Sequence, residues 1–187
     1  MTEFILGIDL GTTNSVASIW NGNNYEIIKN DELQYFPSLI EFTSDGKKIS
    51  NENYDINNSI VNIKRLIGCD TQDINLCKLL SDTNFDYKII DNKVNFYNKF
   101  EEKYYNIEEL HSLILKKIIK NANKQLNTDI KDIVITIPAH FNQNQRSSII
   151  TSTKLAKLNC VRIINEPVSA ALAYGLTYHN DVNLLTF

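Results

Sequence analysis

Gly7-Ile8-Asp9-Leu10-Gly11-Thr12-Thr13-Asn14-Ser15 lies between two apolar runs, Phe4-Ile5-Leu6 and Val16-Ala17-Ser18-Ile19-Trp20. It therefore reads as a tight turn joining two strands. Gly11 is expected to take positive φ and to let a ligand approach without a Cβ in the way. The successive N–H groups of Gly11 to Asn14 can then point inward at an anion, with the hydroxyls of Thr12 and Thr13 as further donors. Asp9 ends the first strand with a carboxylate. Beside phosphates it is tolerable only with a divalent cation between, most plausibly Mg2+ with its water shell. The stretch reads as a site for a nucleotide and a metal. For Asp-x-Gly-Thr alone, an ordinary hairpin whose Gly and Thr only make the turn fits as well.

Working outward, Asn21-Gly22-Asn23-Asn24 supplies a hairpin turn and Tyr25 to Lys29 returns as a third strand, so the chain starts as a meander. Asn30 to Phe36 reads as polar loop. Pro37 precedes a strand over Ser38 to Phe42, closed by the turn Ser44-Asp45-Gly46-Lys47. Asn51 to Ser59 is loop-like. Ser59 is expected to cap a short helix through Ile67, with Ile60, Ile63 and Ile67 on one face, Lys64-Arg65 on another and Gly68 at its end. Asp70 to Asp86 reads as loop with one helical turn around Ile74 to Leu80. Tyr87 to Asp91, Lys93 to Tyr97 and Lys103 to Tyr105 alternate as short antiparallel strands.

Asn106 and Glu109 form the reciprocal pair of a capping box, and Leu110, Leu113, Ile114 and Ile118 give a helix with one buried face, running to about Leu126. The continuous apolar strand Ile133 to Ile137 stops at Pro138, and Asn142 caps a helix to about Leu158. The pattern repeats: Cys160 to Ile164 reads as a buried strand, and Asn165-Glu166-Pro167 introduces a helix over Val168 to Tyr174, closed by Gly175. Asn183 to Phe187 starts another strand. A meander followed by alternating helix and strand predicts an α/β domain with a mixed sheet and smaller α+β material inserted.

The 187 residues are 43% hydrophobic, enough for a sizeable core. A net charge of -3 provides no basic excess to release phosphate counterions, which argues against a dedicated nucleic-acid or anionic-membrane surface. No stretch approaches the roughly 20 apolar residues of a membrane span, and nothing resembles a signal peptide, so the expected compartment is the cytosol. Cys69, Cys77 and Cys160 lack metal-ligand spacing and His111, His140 and His179 are scattered, so free thiols are expected. The G-x-x-x-x-G-K-S/T spacing does not occur, and no Ser-His-Asp or nucleophilic Cys arrangement has supporting context.

Four places carry polar groups at strand ends or on a neighbouring helix, where α/β sheets bind ligands: Asp9 with its Gly-Thr turn, Lys64, the Pro138 to Arg146 segment, and Glu166. A cation stabilises charge developing on a transferred phosphoryl group, while carboxylates hold Mg2+ through water and orient the attacking water. Taken singly, Lys64 reads more readily as a solvated helix face, and Glu166 equally as a carboxylate complementing a helix dipole.

Four segments resemble, in order, the 70-kDa heat-shock (DnaK-type) chaperone family, within the wider group that includes actin and the sugar kinases. They are Gly7 to Ser15; Lys64-Arg65-Leu66-Ile67-Gly68; Ile137-Pro138-Ala139-His140-Phe141-Asn142 with Gln145-Arg146; and Arg162-Ile163-Ile164-Asn165-Glu166-Pro167, continuing into Ala170 to Gly175. The resemblance implies the first lobe of a nucleotide-binding domain with an actin-like, ribonuclease-H-like fold. Its subdomain IA would cover about 1–36 and 107–187, and an inserted subdomain IB about 37–106. It implies ATP/ADP and Mg2+ as cofactors, with Gly11, Thr12, Thr13 and Asn14 at the phosphates and Asp9 and Glu166 on the metal's water shell. Lys64 would act at the γ-phosphate and its attacking water, and Pro138 and Arg146 would relay nucleotide state to a peptide-binding domain.

The implied partners are unfolded client polypeptides, a J-domain co-chaperone and a nucleotide-exchange factor. His140 stands where the family usually has Tyr, Cys69 where a basic residue is common, and Asn51 to Ser59 looks shortened. The family's second phosphate loop, an Asp-Leu-Gly-Gly-Gly-Thr run, is expected beyond Phe187 together with the second lobe and the peptide-binding domain. ATP hydrolysis is accordingly expected of a full-length protein and scarcely of one wall of the cleft. A small-molecule kinase, an actin-like filament ATPase and an iron-sulfur cluster assembly chaperone are the alternative functions.

Overall fold

The stretch from Gly7 to Ser15 forms the end of one strand, a loop and the start of the next in the computed structural model, which describes residues 4–48, 54–69, 71, 76, 78, 80 and 85–177. β1 (Ile5–Asp9) pairs antiparallel with β2 (Asn14–Trp20), and β3 (Tyr25–Ile27) completes the meander. The period of two is visible in burial: Leu6, Ile8, Ala17 and Ile19 are buried while Ile5, Asp9 and Trp20 are exposed.

The chain then leaves the meander. β4 (Phe36–Pro37) pairs with the start of β2, so the expected polar loop ends in a fully buried Phe36. β5 (Ile40–Thr43), β6 (Gly46–Lys48) and β7 (Ser59–Ile60) make one small sheet. β8 (Tyr87–Ile90), β9 (Lys93–Asn98) and β10 (Lys103–Asn106) make another, the antiparallel hairpins expected from the alternation.

Between the two small sheets the sequence reading fails. Ser59 starts no helix; its main-chain N–H closes a 3-10 turn over Ile56–Asn58, it lies in β7 paired with Glu41, and its hydroxyl is buried without a partner. Asn62 takes φ 56, outside the right-handed helical region, and only a 3-10 turn, Ile63–Leu66, follows. Ile60, Ile63 and Ile67 are all buried, which is what the apolar spacing reported, but they are buried from a strand, a turn and a coil. Gly68 ends the segment as expected, at φ +58. Leu76, Lys78 and Leu80 are helical, with Leu76 and Leu80 in the core.

The second half follows its pattern closely. α1 (Ile107–Leu126) starts on a complete capping box between Asn106 and Glu109 and stops at Asn127, which is left-handed. β11 (Asp132–Ile137) enters parallel beside β1. α2 (Gln143–Leu155) has its own capping box, Asn142 with Gln145, and ends three residues earlier than expected because Ala156 caps it and Lys157 turns left-handed. β12 (Asn159–Asn165) is parallel to β11, and α3 (Glu166–Thr177) follows it directly.

Two expectations are corrected here. Among the described residues β12 is the sheet's edge strand, with Val161 and Arg162 exposed, so the apolar run does not make it a buried strand. α3 begins earlier than Val168 and runs past Gly175, which does not take the left-handed conformation of a helix terminator. The strand expected at Asn183 to Phe187 lies outside the described residues, as does Cys77; Cys160 is a free thiol.

The large sheet therefore runs β12-β11-β1-β2-β3, with β4 attached to β2, and mixes parallel and antiparallel pairs. Leu6, Ile8, Ile133, Ile135 and Ile137 share one core with Leu110, Ile114 and Ile118 of α1, and α1 packs on α2. No helix among the described residues is long and apolar enough to cross a membrane.

Candidate functional site

Parallel pairing of β1 and β11 sets Asp9 opposite Thr136. The Thr136 hydroxyl donates to Asp9 Oδ1 at 2.7 Å, fixing a carboxylate that is otherwise exposed at the strand tip. Thr136 was not singled out from the sequence. The signal lay in the strand register, which a single sequence leaves open.

The loop after Asp9 is held from behind. The main-chain N–H of Ser38 donates to the Thr13 carbonyl at 2.8 Å, and the hydroxyls of Ser15 and Ser38 are 2.8 Å apart and buried. Thr12 is half-buried, while Thr13 and Asn14 are exposed. Gly11 is not at positive φ, contrary to expectation. Glycine is needed for a different reason: a Cβ there would sit 2.0 Å from the carbonyl oxygen of Asn14. The loop doubles back so closely that no side chain fits.

Lys64 is not a solvated helix face. Its side chain is 5% exposed, on a turn packed against α1. Its Nζ donates to Glu166 Oε1 at 2.6 Å, joining residues 102 apart in sequence, and lies 5.9 Å from the centre of the Phe141 ring. A buried ammonium without a partner is strongly unfavourable, so the position of Lys64 depends on Glu166 at the first turn of α3. Gly68 seats the end of this segment on α2: a Cβ at that position would lie 2.5 Å from Cα of Gln145.

Pro138 and Arg146 belong to the same cluster. The Phe141 N–H donates to the Pro138 carbonyl at 3.2 Å, and Arg146 Nε donates to the Phe141 carbonyl at 3.1 Å. Arg146 Nη2 donates to Asn165 Oδ1 at 3.2 Å, one residue before Glu166. The structure thus gathers Lys64, Glu166, Arg146 and Pro138 around Phe141, and Asp9 with its loop around Thr136. Among the described residues no hydrogen bond joins the two groups; the end of β11, Thr136-Ile137-Pro138, carries one into the other. Phe141 and Asn165 were legible only as parts of motifs.

Behind the Lys64 turn lies a second layer of polar groups on α1. Glu108 is buried and accepts from Lys93 Nζ at 2.8 Å and from the Ser148 hydroxyl at 2.9 Å, tying β9, α1 and α2 together. Burial pushes its carboxyl up, but these donors and its own main-chain N–H outweigh that and hold it below the usual value. His111, one turn on, is 1% exposed, and burial holds its imidazole neutral with a pKa of about 4. No group of three or more His, Cys, Asp or Glu side chains among the described residues is arranged to hold a metal directly. Any divalent cation at Asp9 would be held largely through water.

The proteins similar to this chain point to one family. The family model described as Hsp70 protein matches residues 5–187. The chaperone protein dnaK of Thalassiosira pseudonana is 33% identical over 196 residues, covering 98% of this chain and 31% of that protein. The chaperone protein dnaK of Guillardia theta is 34% identical over 191 residues, covering 98% of this chain and 30% of that protein. The chain spans about a third of the length of these relatives, and it belongs to the 70-kDa heat-shock protein family, in the N-terminal nucleotide-binding region.

Proposed function

We propose that the chain is the first lobe of the nucleotide-binding domain of an ATP-dependent molecular chaperone, an ATPase lobe of the ribonuclease-H-like, actin-like kind. Its body is residues 1–36 and 107–187, and residues 37–106 are an inserted α+β subdomain. The single observation that carries the reading is the contact of Lys64 with Glu166 across 102 residues of sequence, in an α/β fold whose sheet presents at a strand tip Asp9 and a tight loop where Gly11 has no room for a side chain. A buried ammonium beside an exposed carboxylate and a donor-rich turn fits an Mg2+-nucleotide better than it fits a purely structural role.

The donor set fits the group. Asp9 has one oxygen occupied by Thr136, which leaves the other for a water of the metal shell. Thr12, Thr13 and Asn14 offer hydroxyl, amide and main-chain donors for phosphate oxygens. Lys64 supplies a cation held in place before substrate arrives, the preorganisation that makes charge stabilisation effective in a transition state. Glu166 holds Lys64 in orientation and would help hold the water shell of a bound metal. Bound Mg2+ supplies charge neutralisation and orientation of the phosphates and the attacking water.

Arg146 and Pro138 provide the route by which nucleotide state would reach a peptide-binding domain. Asn165, next to Glu166, accepts from the Arg146 guanidinium, which also donates to the Phe141 carbonyl, and the Phe141 N–H donates to the Pro138 carbonyl, so a change at Glu166 would be passed along this chain of bonds. The output of the whole protein is binding and release of unfolded polypeptide, assisted by a J-domain co-chaperone and a nucleotide-exchange factor in the cytoplasm. The experiment is ATP hydrolysis by the full-length protein with and without Lys64→Ala. Loss of kcat with ADP affinity retained is the expected result, and an unchanged kcat overturns the role of Lys64.

A further inference from the structure

A cavity of about 340 Å3 opens where the β8–β9 turn meets the first turns of α1 and α2, and neither Asp9, Lys64 nor Glu166 lines it. Its size lies within the range of small-molecule sites, about 300–1,000 Å3. On α2 its wall is Asn144, Ser147, Ser148 and Thr151, which share one face of the helix because they lie at i, i+3, i+4 and i+7. A cleft walled by apolar side chains gains by closing on itself. Amides and hydroxyls keep this one wet and able to bond a polar solute.

Glu108 lines the same cavity and is 4% exposed. The two donors it receives from other residues, Lys93 Nζ at 2.8 Å and the Ser148 hydroxyl at 2.9 Å, both fall on Oε1. A carboxylate has about four acceptor positions, and among the described residues no other residue donates to Oε2. Charge then decides the class of solute. The lining sets the carboxylates of Asp91 and Glu108 against the single ammonium of Lys93, so negative charge is in excess. An anion is repelled, and a neutral polyol leaves the charge at Oε2 unanswered. A metal ion is poorly served, since no group of three ligating His, Cys, Asp or Glu side chains occurs among the described residues and Lys93 already holds Oε1.

We propose that this cavity is a binding site for a small hydroxylated organic ammonium ion, its N–H groups donating to Glu108 Oε2 and its hydroxyl meeting the Asn144, Ser147 and Thr151 side chains. The site is separate from the nucleotide cleft and stands whether or not that reading holds. Lys93, whose side chain is 49% exposed, is a resident cation on the same carboxylate. It repels the ligand, and its removal leaves a buried charge that the ligand can answer.

The probe is ethanolamine, titrated into the full-length protein and followed by calorimetry and melting temperature, with glycerol and potassium chloride at equal ionic strength as controls. Saturable binding in the millimolar range is expected for ethanolamine and not for the controls. Glu108→Gln keeps the shape, removes the charge and should weaken binding at least about tenfold, whereas Lys93→Ala should tighten it about three- to tenfold. Thr151→Leu puts a larger side chain into the cavity, leaves Glu108 and its bonds in place, and should weaken binding about tenfold at an unchanged melting temperature. This exposed position carries the test if Glu108→Gln does not fold. Absence of saturable binding overturns the proposal, and so does binding of glycerol or potassium as tight as that of ethanolamine. An affinity that Thr151→Leu leaves unmoved, or that Lys93→Ala lowers, overturns it as well.

Discussion

Lys64 Nζ and Glu166 Oε1 lie 2.6 Å apart, with Lys64 5% exposed and Glu166 38% exposed. The asymmetry decides what each mutation does. Glu166→Gln leaves an ammonium in a place water reaches poorly, whereas Lys64→Met leaves a carboxylate that solvent can still hydrate. Glu166→Gln should therefore lower stability by about 1–2 kcal/mol, discounted from the cost of a fully buried pair because Glu166 is partly in water. Lys64→Met should cost less, and the double variant about as little as Lys64→Met alone. Urea unfolding of the four proteins checks this; equal costs for the two single changes would contradict the asymmetry.

Two glycines should tolerate no side chain, for reasons that differ. Gly11→Ala brings a Cβ to 2.0 Å from the Asn14 carbonyl, so the loop after Asp9 must open. Gly68→Ala adds the strain of φ +58 to a 2.5 Å approach to the backbone of α2. Each should cost about 2–4 kcal/mol or be relieved by backbone movement. Gly11→Ala should also abolish the rise in melting temperature that ATP produces, and a parental rise in that variant would show that the loop does not hold phosphate.

The elements with intact local signals were legible before the structure. Asn106 with Glu109, and Asn142 with Gln145, announce two helices because a capping box satisfies specific orphan N–H groups. Failures cluster where a long-range partner overrides spacing. Ile60, Ile63 and Ile67 have helical spacing, but Ser59–Ile60 pairs with Ile40–Glu41 and Asn62 turns left-handed. β12 reads as buried because its apolar run is continuous, yet among the described residues it is an edge, and strand order is a tertiary property. The Asp9, Lys64 and Glu166 motifs could be found from sequence, whereas Thr136 and His111 depend on register and on packing between elements.

Acid should weaken the fold in two windows. His111 titrates at about 4 in the folded chain against an ordinary value of 6.5, because burial and the Lys64 charge disfavour imidazolium. Between those values the unfolded chain binds more protons, so stability is fully present above about pH 6.5 and falls as pH drops toward 4, by up to about 3 kcal/mol. Glu108, held below its ordinary 4.5, adds a loss that begins only as pH falls through that value. His111→Leu should flatten the upper window and leave the lower one. Unfolding free energies at pH 7, 6, 5 and 4 separate them, and a parental slope between pH 6.5 and 5 in His111→Leu would remove His111 as its cause.

Asp9 separates a metal-nucleotide site from a plain hairpin. Its carboxylate stands exposed at the tip of β1 with one oxygen accepting from Thr136, so its orientation is fixed and its charge is not neutralised by any described side chain. Beside phosphates that charge is repulsive unless Mg2+ lies between. Asp9→Asn in the full-length protein should therefore raise the Mg2+ concentration needed for half-maximal ATP hydrolysis by about tenfold, one lost charge-assisted contact of about 1.4 kcal/mol. Thr136→Val should shift it less, because it frees the carboxylate's orientation but keeps its charge. The fold should survive both, since a polar change at a solvent-facing strand tip typically costs about 0.5 kcal/mol or less. Hydrolysis rate against Mg2+ concentration, with a melt of the same samples, is the measurement. An Mg2+ dependence unchanged in Asp9→Asn at unchanged stability would return Gly7 to Ser15 to an ordinary turn made by glycine and threonine.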